Sequence, residues 1–156
     1  MKERNQKYFF YSTAALLLVI MLVASRDAGV SCDEIIHYGH SVSVYNYFAT
    51  GGNDTSALNT PVTNLKYYGQ SYDNFVTILT RWLKIDDVYV FRNLMSAAMG
   101  WLTILLTALF AVWLRNYLTG LIVLFLLAIS PTFIGHSLNN LKDIPFAFAY
   151  IAGIFL

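Results

Sequence analysis

Three long stretches of this chain carry no charge, and each is long enough to confine it to lipid. Phe9 to Ala24, Leu94 to Leu114 and Tyr117 to Phe133 contain no Asp, Glu, Lys or Arg. A hydrocarbon core of about 30 Å needs ~20 apolar helical residues at about 1.5 Å each. Lipid offers no hydrogen bond to an open backbone, so runs of this kind fold as helices. Tyr8 and Ser25 extend the first run to both interfaces. It also reads as a cleavable signal peptide, with Lys2, Arg4 and Lys7 as its basic region and Val23-Ala24-Ser25 as the cleavage site. The further apolar spans favour a retained anchor.

The composition agrees. Of the 156 residues, 57% are hydrophobic and 12% charged, about half the charged share of a soluble domain. Aromatics reach 16%, which suits helices that cross aromatic-rich interfaces. A formal charge of +1 implies no nucleic-acid partner. Cys32 is alone, so no disulfide forms within the chain.

These features predict an all-α fold, a polytopic transmembrane helical bundle with amphipathic surface helices in a long first external loop. The expected spans are 8–25, 94–114, 117–134 and an incomplete 144–156, with external loops at 26–93 and 135–143. The fourth run rises only about 20 Å before Leu156, so the chain reads as the N-terminal part of one transmembrane domain. Lys2, Arg4 and Lys7 before the first span, and Arg115 in the turn after the second, belong in the cytoplasm by the positive-inside rule. Every acidic residue but Glu3, and all three histidines, then face outward.

Chemistry-bearing residues gather in two places. Ser31-Cys32-Asp33-Glu34 opens the long loop, and Ser31 with Glu34 has the spacing of a capping box. The following Ile35, Tyr38, Val42, Tyr45 and Phe48 recur at helical spacing and predict an amphipathic surface helix, stopped by Gly51-Gly52. Phe75 to Leu83 predicts another. Gly135-His136-Ser137-Leu138-Asn139-Asn140-Leu141-Lys142-Asp143-Ile144-Pro145 opens the fourth run, with Asp143 placed to cap it and Pro145 in its first turn. Capping alone accounts for both acidic sites. Their shared membrane face also suits a general base and an orienting partner for a hydroxyl nucleophile. Lys142 suits a phosphate. Arg92, opening the second span, is an interfacial anchor or a ligand for an anionic head group. Asp33, His37 and His40 follow i, i+4, i+7 spacing. With His136, Asn140 or Asp143 they form a candidate substrate or divalent-metal site, although no cofactor is required.

This layout resembles the start of the membrane glycosyltransferases of the large C-type fold, closest to the protein O-mannosyltransferase and aminoarabinose-transferase branch, glycosyltransferase family 39. Ser130-Pro131-Thr132-Phe133-Ile134-Gly135-His136-Ser137-Leu138-Asn139-Asn140-Leu141-Lys142-Asp143-Ile144-Pro145-Phe146 looks like the second external loop of bacterial members. The resemblance implies transfer of a sugar from a polyprenyl-phosphate carrier to a protein, lipid or glycan acceptor, outside a bacterial inner membrane. It maps the family's first-loop aspartate onto Asp33, with Glu34 as the neighbouring candidate, and its second-loop acid onto Asp143. Arg92 and Lys142 would meet the phosphate. The later family spans do not follow here, so the piece alone is expected to be inactive. The alternatives are a non-catalytic membrane subunit or a transporter segment.

Overall fold

The structure is a computed structural model that describes residues 3–61 and 63–155. Lys2 of the basic tail and Leu156 of the fourth expected span lie outside the described residues. Among the described residues every regular element is helical: α1 (Glu3–Ser25), α2 (Cys32–Ala49), α3 (Ser71–Leu83), α4 (Val88–Leu114), α5 (Tyr117–Ala128), α6 (Pro131–Asn139) and α7 (Asp143–Phe155), with two single-turn 3-10 helices at Ser56–Leu58 and Leu65–Tyr67. α1 and α4 are long and apolar enough to cross a membrane, and α5 with α6 makes a third span if the bent pair is counted as one. The chain is a membrane protein on that ground.

The expected third span, 117–134, is not straight. α5 ends at Ala128 and α6 restarts at Pro131 with a 73° bend between them. Proline has no N–H to continue an α-helix and its ring clashes with the preceding turn, yet its fixed φ suits the first position of a new one. α6 also takes in most of the expected 135–143 loop, so only Asn140–Lys142 separates it from α7.

The contacts divide the chain into two units, Met1–Gly29 with Asn93–Leu156, and Val30–Arg92, the division falling inside α4. In the first unit, Phe10, Ala14 and Met21 of α1 pack with Ala97, Ile104 and Ala108 of α4 and Leu121 and Leu124 of α5. Trp101 Nε1 donates to the Ala14 carbonyl at 2.8 Å, satisfying a polar group that lipid would leave bare. Small residues let the helices approach. A Cβ at Gly120 would stand 2.3 Å from Val112 Cγ2 and 2.8 Å from the Ala108 carbonyl, and one at Gly100 would stand 2.5 Å from Ser137 Cβ. Membrane helices gain their association from such close packing, because lipid tails are as apolar as leucine. Gly120→Val is expected to cost about 1–3 kcal/mol by overpacking, read as a lower thermal midpoint in detergent. An unchanged midpoint would mean that α4 and α5 yield freely.

The second unit is built the other way round. Its buried hydrophobic residues are Ala57, Leu65 and Val76, whereas Glu34, His40, Ser41, Gln70, Asp73, Thr77, Thr80 and Arg92 are all buried. Ile35, Ile36 and Phe48 of α2 and Phe75, Ile78 and Trp82 of α3 are exposed instead. The apolar face expected of α2 therefore splits. Ile35 and Phe48 point outward, Tyr38, Val42 and Tyr45 are half-buried, and the inward face is polar. α2 and α3 meet through a buried 2.7 Å hydrogen bond between the Ser41 and Thr77 hydroxyls. α2 ends as its sequence requires: Gly51 and Gly52 take positive φ, and their N–H groups reach the Phe48 and Tyr47 carbonyls, the double closure that glycine permits.

Candidate functional site

Asp33 and Glu34 occupy the first turn of α2 but have different environments. Successive helical residues point about 100° apart. Asp33 is exposed, and Glu34 is buried. Ser31 is the N-cap residue, yet no side-chain capping bond forms there, and the Glu34 N–H reaches the Ser31 carbonyl instead. The expected capping box is thus absent. Glu34 goes to Arg92, because a buried guanidinium needs a counter-charge far more than an exposed helix end needs one extra acceptor.

Arg92 has no solvent exposure. Its Nε donates to Glu34 Oε1 and its Nη2 to Asp73 Oδ1. Its guanidinium also lies 5.1 Å from the ring centroid of Tyr38, and Nη1 is buried with no hydrogen-bond partner among the described residues. Two carboxylates against one guanidinium leave one negative charge in excess. Burial pushes the Glu34 carboxyl above its ordinary range, and Arg92 only partly opposes this. A proton therefore settles on Glu34 at a higher pH than on a free glutamate.

Asp73 was not singled out by the sequence, since the expected helix began at Phe75. It lies two residues earlier, on the inward stripe of α3 with Val76, Thr77 and Thr80. That i, i+3, i+4, i+7 pattern was the available signal. Arg92 is likewise placed as an internal tie between α2, α3 and the start of α4, with no surface for a phosphate.

The metal face expected of Asp33, His37 and His40 does not form. Among the described residues no three His, Cys, Asp or Glu side chains come together as metal ligands. His37 Nδ1 is instead hydrogen-bonded to Gln70 Nε2, and its ring lies against Tyr68 with centroids 6.2 Å apart. His40 is buried, and burial followed by the nearby His37 charge pushes its pKa below the usual 6.5.

The second acidic site lies in the other unit and is organised by Asn140. Its Oδ1 accepts the N–H groups of Lys142 (3.0 Å) and Asp143 (2.9 Å), and its Nδ2 donates to Asp143 Oδ2 (3.0 Å) and lies 3.1 Å from His136 Nδ1. The Asn140 N–H is held by Ser96 Oγ at 3.1 Å. Asn140 thus performs the capping expected of Asp143. Asp143 becomes the first residue of α7, exposed and aimed by an amide, with Pro145 in that first turn as expected. Lys142 and His136 are exposed beside it. No described protein family, curated protein or solved structure matches the chain.

Proposed function

We propose that the protein is a membrane glycosyltransferase of the C-type fold, similar to glycosyltransferase family 39, which moves a sugar from a polyprenyl-phosphate carrier to an acceptor hydroxyl on the non-cytoplasmic face. The carrying observation is the division of labour within α2: Asp33 stands exposed on its first turn while Glu34, the next residue, is committed to Arg92. A base must be reachable by the proton that it takes. Of the adjacent pair, Asp33 alone is reachable.

In this reading Asp33 accepts the proton of the acceptor hydroxyl as its oxygen attacks the anomeric carbon. The bond from that carbon to the phosphate oxygen breaks, the lipid phosphate leaves with the electron pair, and the anomeric centre inverts. By the resemblance, Asp143, held by Asn140, is the family's second-loop acid, and Lys142 is a candidate for the phosphate. Arg92 is a tie and not a phosphate ligand. The bundle crosses a bacterial inner membrane with its N-terminus in the cytoplasm. α2 and α3 lie in the outer interface, which agrees with the exposed Phe48, Phe75 and Trp82.

The test uses the full-length protein in liposomes with radiolabelled polyprenyl-phosphate sugars. Transfer is expected from the wild type and not from Asp33→Asn combined with Asp143→Asn. Transfer that survives both changes would remove the catalytic assignment and favour a non-catalytic subunit. Orientation is checked separately at Cys32, which is exposed. A membrane-impermeant maleimide is expected to label it in intact cells once the outer barrier is opened. Labelling only after the inner membrane is broken would reverse the topology.

A further inference from the structure

The Val30–Arg92 unit holds a second feature that the transfer chemistry does not use. A groove of about 360 Å³ runs between α2 and the segment from Ser56 to Leu65. That volume lies within the usual range of small-molecule sites, about 300–1,000 Å³. His40, Ser43, Ser56, Asn59 and Thr60 supply its polar wall, and Ile36 and Leu65 its apolar one. Among the described residues no Asp, Glu, Lys or Arg lines it. Thr60 belongs to the same wall, and its Oγ1 is buried without a hydrogen-bond partner among the described residues.

From this lining we infer that the groove binds a neutral, polyhydroxylated ligand, one or two sugar rings, through His40, Asn59 and Thr60. A phosphate or an acidic group is held most strongly by a guanidinium or ammonium, and among the described residues the wall has neither. A peptide added as a β-strand would require an open strand edge, and no strand exists among the described residues. A pyranose presents hydroxyls that both donate and accept, and C–H faces that pack on aliphatic side chains. The wall matches both, with hydroxyl, amide and imidazole groups opposite Ile36 and Leu65. His40 stays uncharged at neutral pH, since burial and His37 both push its pKa down. Asp54, the nearest acidic neighbour in sequence, accepts the Ser56 N–H at 2.9 Å.

The groove also has a direction. Asp33, Ile36, His40 and Ser43 follow one stripe of α2 at i, i+3, i+7 and i+10. A sugar lying along it has one end toward Asp33, about 10 Å of helix rise from His40. In the transfer reading, that bound sugar is the acceptor. The acceptor role rests on the transfer reading above; the binding does not.

Binding is measured by saturation-transfer NMR on the full-length protein in detergent, with methyl α-D-mannopyranoside and methyl β-D-glucopyranoside as probes. Inorganic phosphate and a short serine-containing peptide serve as competitors. The wild type is expected to transfer saturation to at least one glycoside, undisturbed by either competitor. Asn59→Leu and Thr60→Val are expected to weaken it several-fold with unchanged helical circular dichroism, and Thr60→Ser to restore it. No transfer to either glycoside, equal transfer from Asn59→Leu, or displacement by the peptide or phosphate would overturn the proposal. Asp33→Asn is expected to keep binding, which separates the two readings. Glycoside binding in a protein without transferase activity leaves the groove standing and removes the enzyme. Sugar transfer in a protein that binds neither glycoside does the reverse.

Discussion

Arg92→Met is expected to destabilise the Val30–Arg92 unit by about 3–5 kcal/mol, the cost of leaving buried carboxylates without their counter-charge. Arg92 is fully buried, Glu34 is 5% exposed and Asp73 is 2% exposed, so water cannot replace the lost partner. The loss is read from hydrogen exchange of the α2 and α3 amides, which report that unit separately from the membrane helices. It depends on pH with a definite sign. The folded-state pKa of Glu34 is already raised by burial, and removing Arg92 raises it further. A carboxyl with a raised folded pKa favours the fold at low pH, and that contribution is lost as pH rises through the raised pKa. The variant is therefore expected to be least stable at high pH. Adding Glu34→Gln and Asp73→Asn to Arg92→Met is expected to recover most of the loss, since neutral amides can pair with each other. A single Arg92→Met that changes stability by less than about 1 kcal/mol would show that the trio does not tie the unit together.

The second large effect is on rate. Asp33→Asn is expected to lower sugar transfer by about 10²–10⁴-fold, the range for removing a general base. Stability is expected to change by no more than about 0.5 kcal/mol, because Asp33 is exposed. Glu34→Gln is expected to behave differently. It weakens the tie to Arg92, so activity falls in step with loss of the folded unit and returns at lower temperature. Measuring kcat and unfolding on the same preparations distinguishes the two. Should Glu34→Gln abolish transfer at unchanged stability while Asp33→Asn stays active, the assignment within α2 would be reversed.

Much of the frame was legible from residues alone. The uncharged runs marked α1 and most of α4, because crossing lipid is a matter of length and charge and little else. Gly51-Gly52 marked the end of α2, since few other residues adopt positive φ readily. Pro145 fell in the first turn of its helix for a similarly local reason. The start of α4 was less legible. Its first turn, Val88 to Phe91, precedes a charged residue, and a buried ion pair was needed to bring Arg92 inside.

The site was legible only in part. Ser31 and Glu34 have capping-box spacing, yet their partners were decided by Arg92, which lies 58 positions from Glu34 in the chain. The capping expected of Asp143 passed to Asn140, because Asn140 already had its backbone held by Ser96 and two N–H groups within reach. The histidine spacing suggested metal, but Gln70 took His37, and burial took His40.

By itself, the order of residues determined that this chain is helical, that its apolar runs belong in lipid, and where glycine and proline stop its helices. Those properties follow from covalent geometry and from the solvent that a segment can tolerate, so they need no partner. Only the tertiary structure decided that Glu34 and Asp73 share one arginine, that α2 turns its polar side inward, and that Asp33 stays exposed. A charge removed from water must find an opposite charge wherever the fold brings one, and that choice is made between residues far apart in the chain.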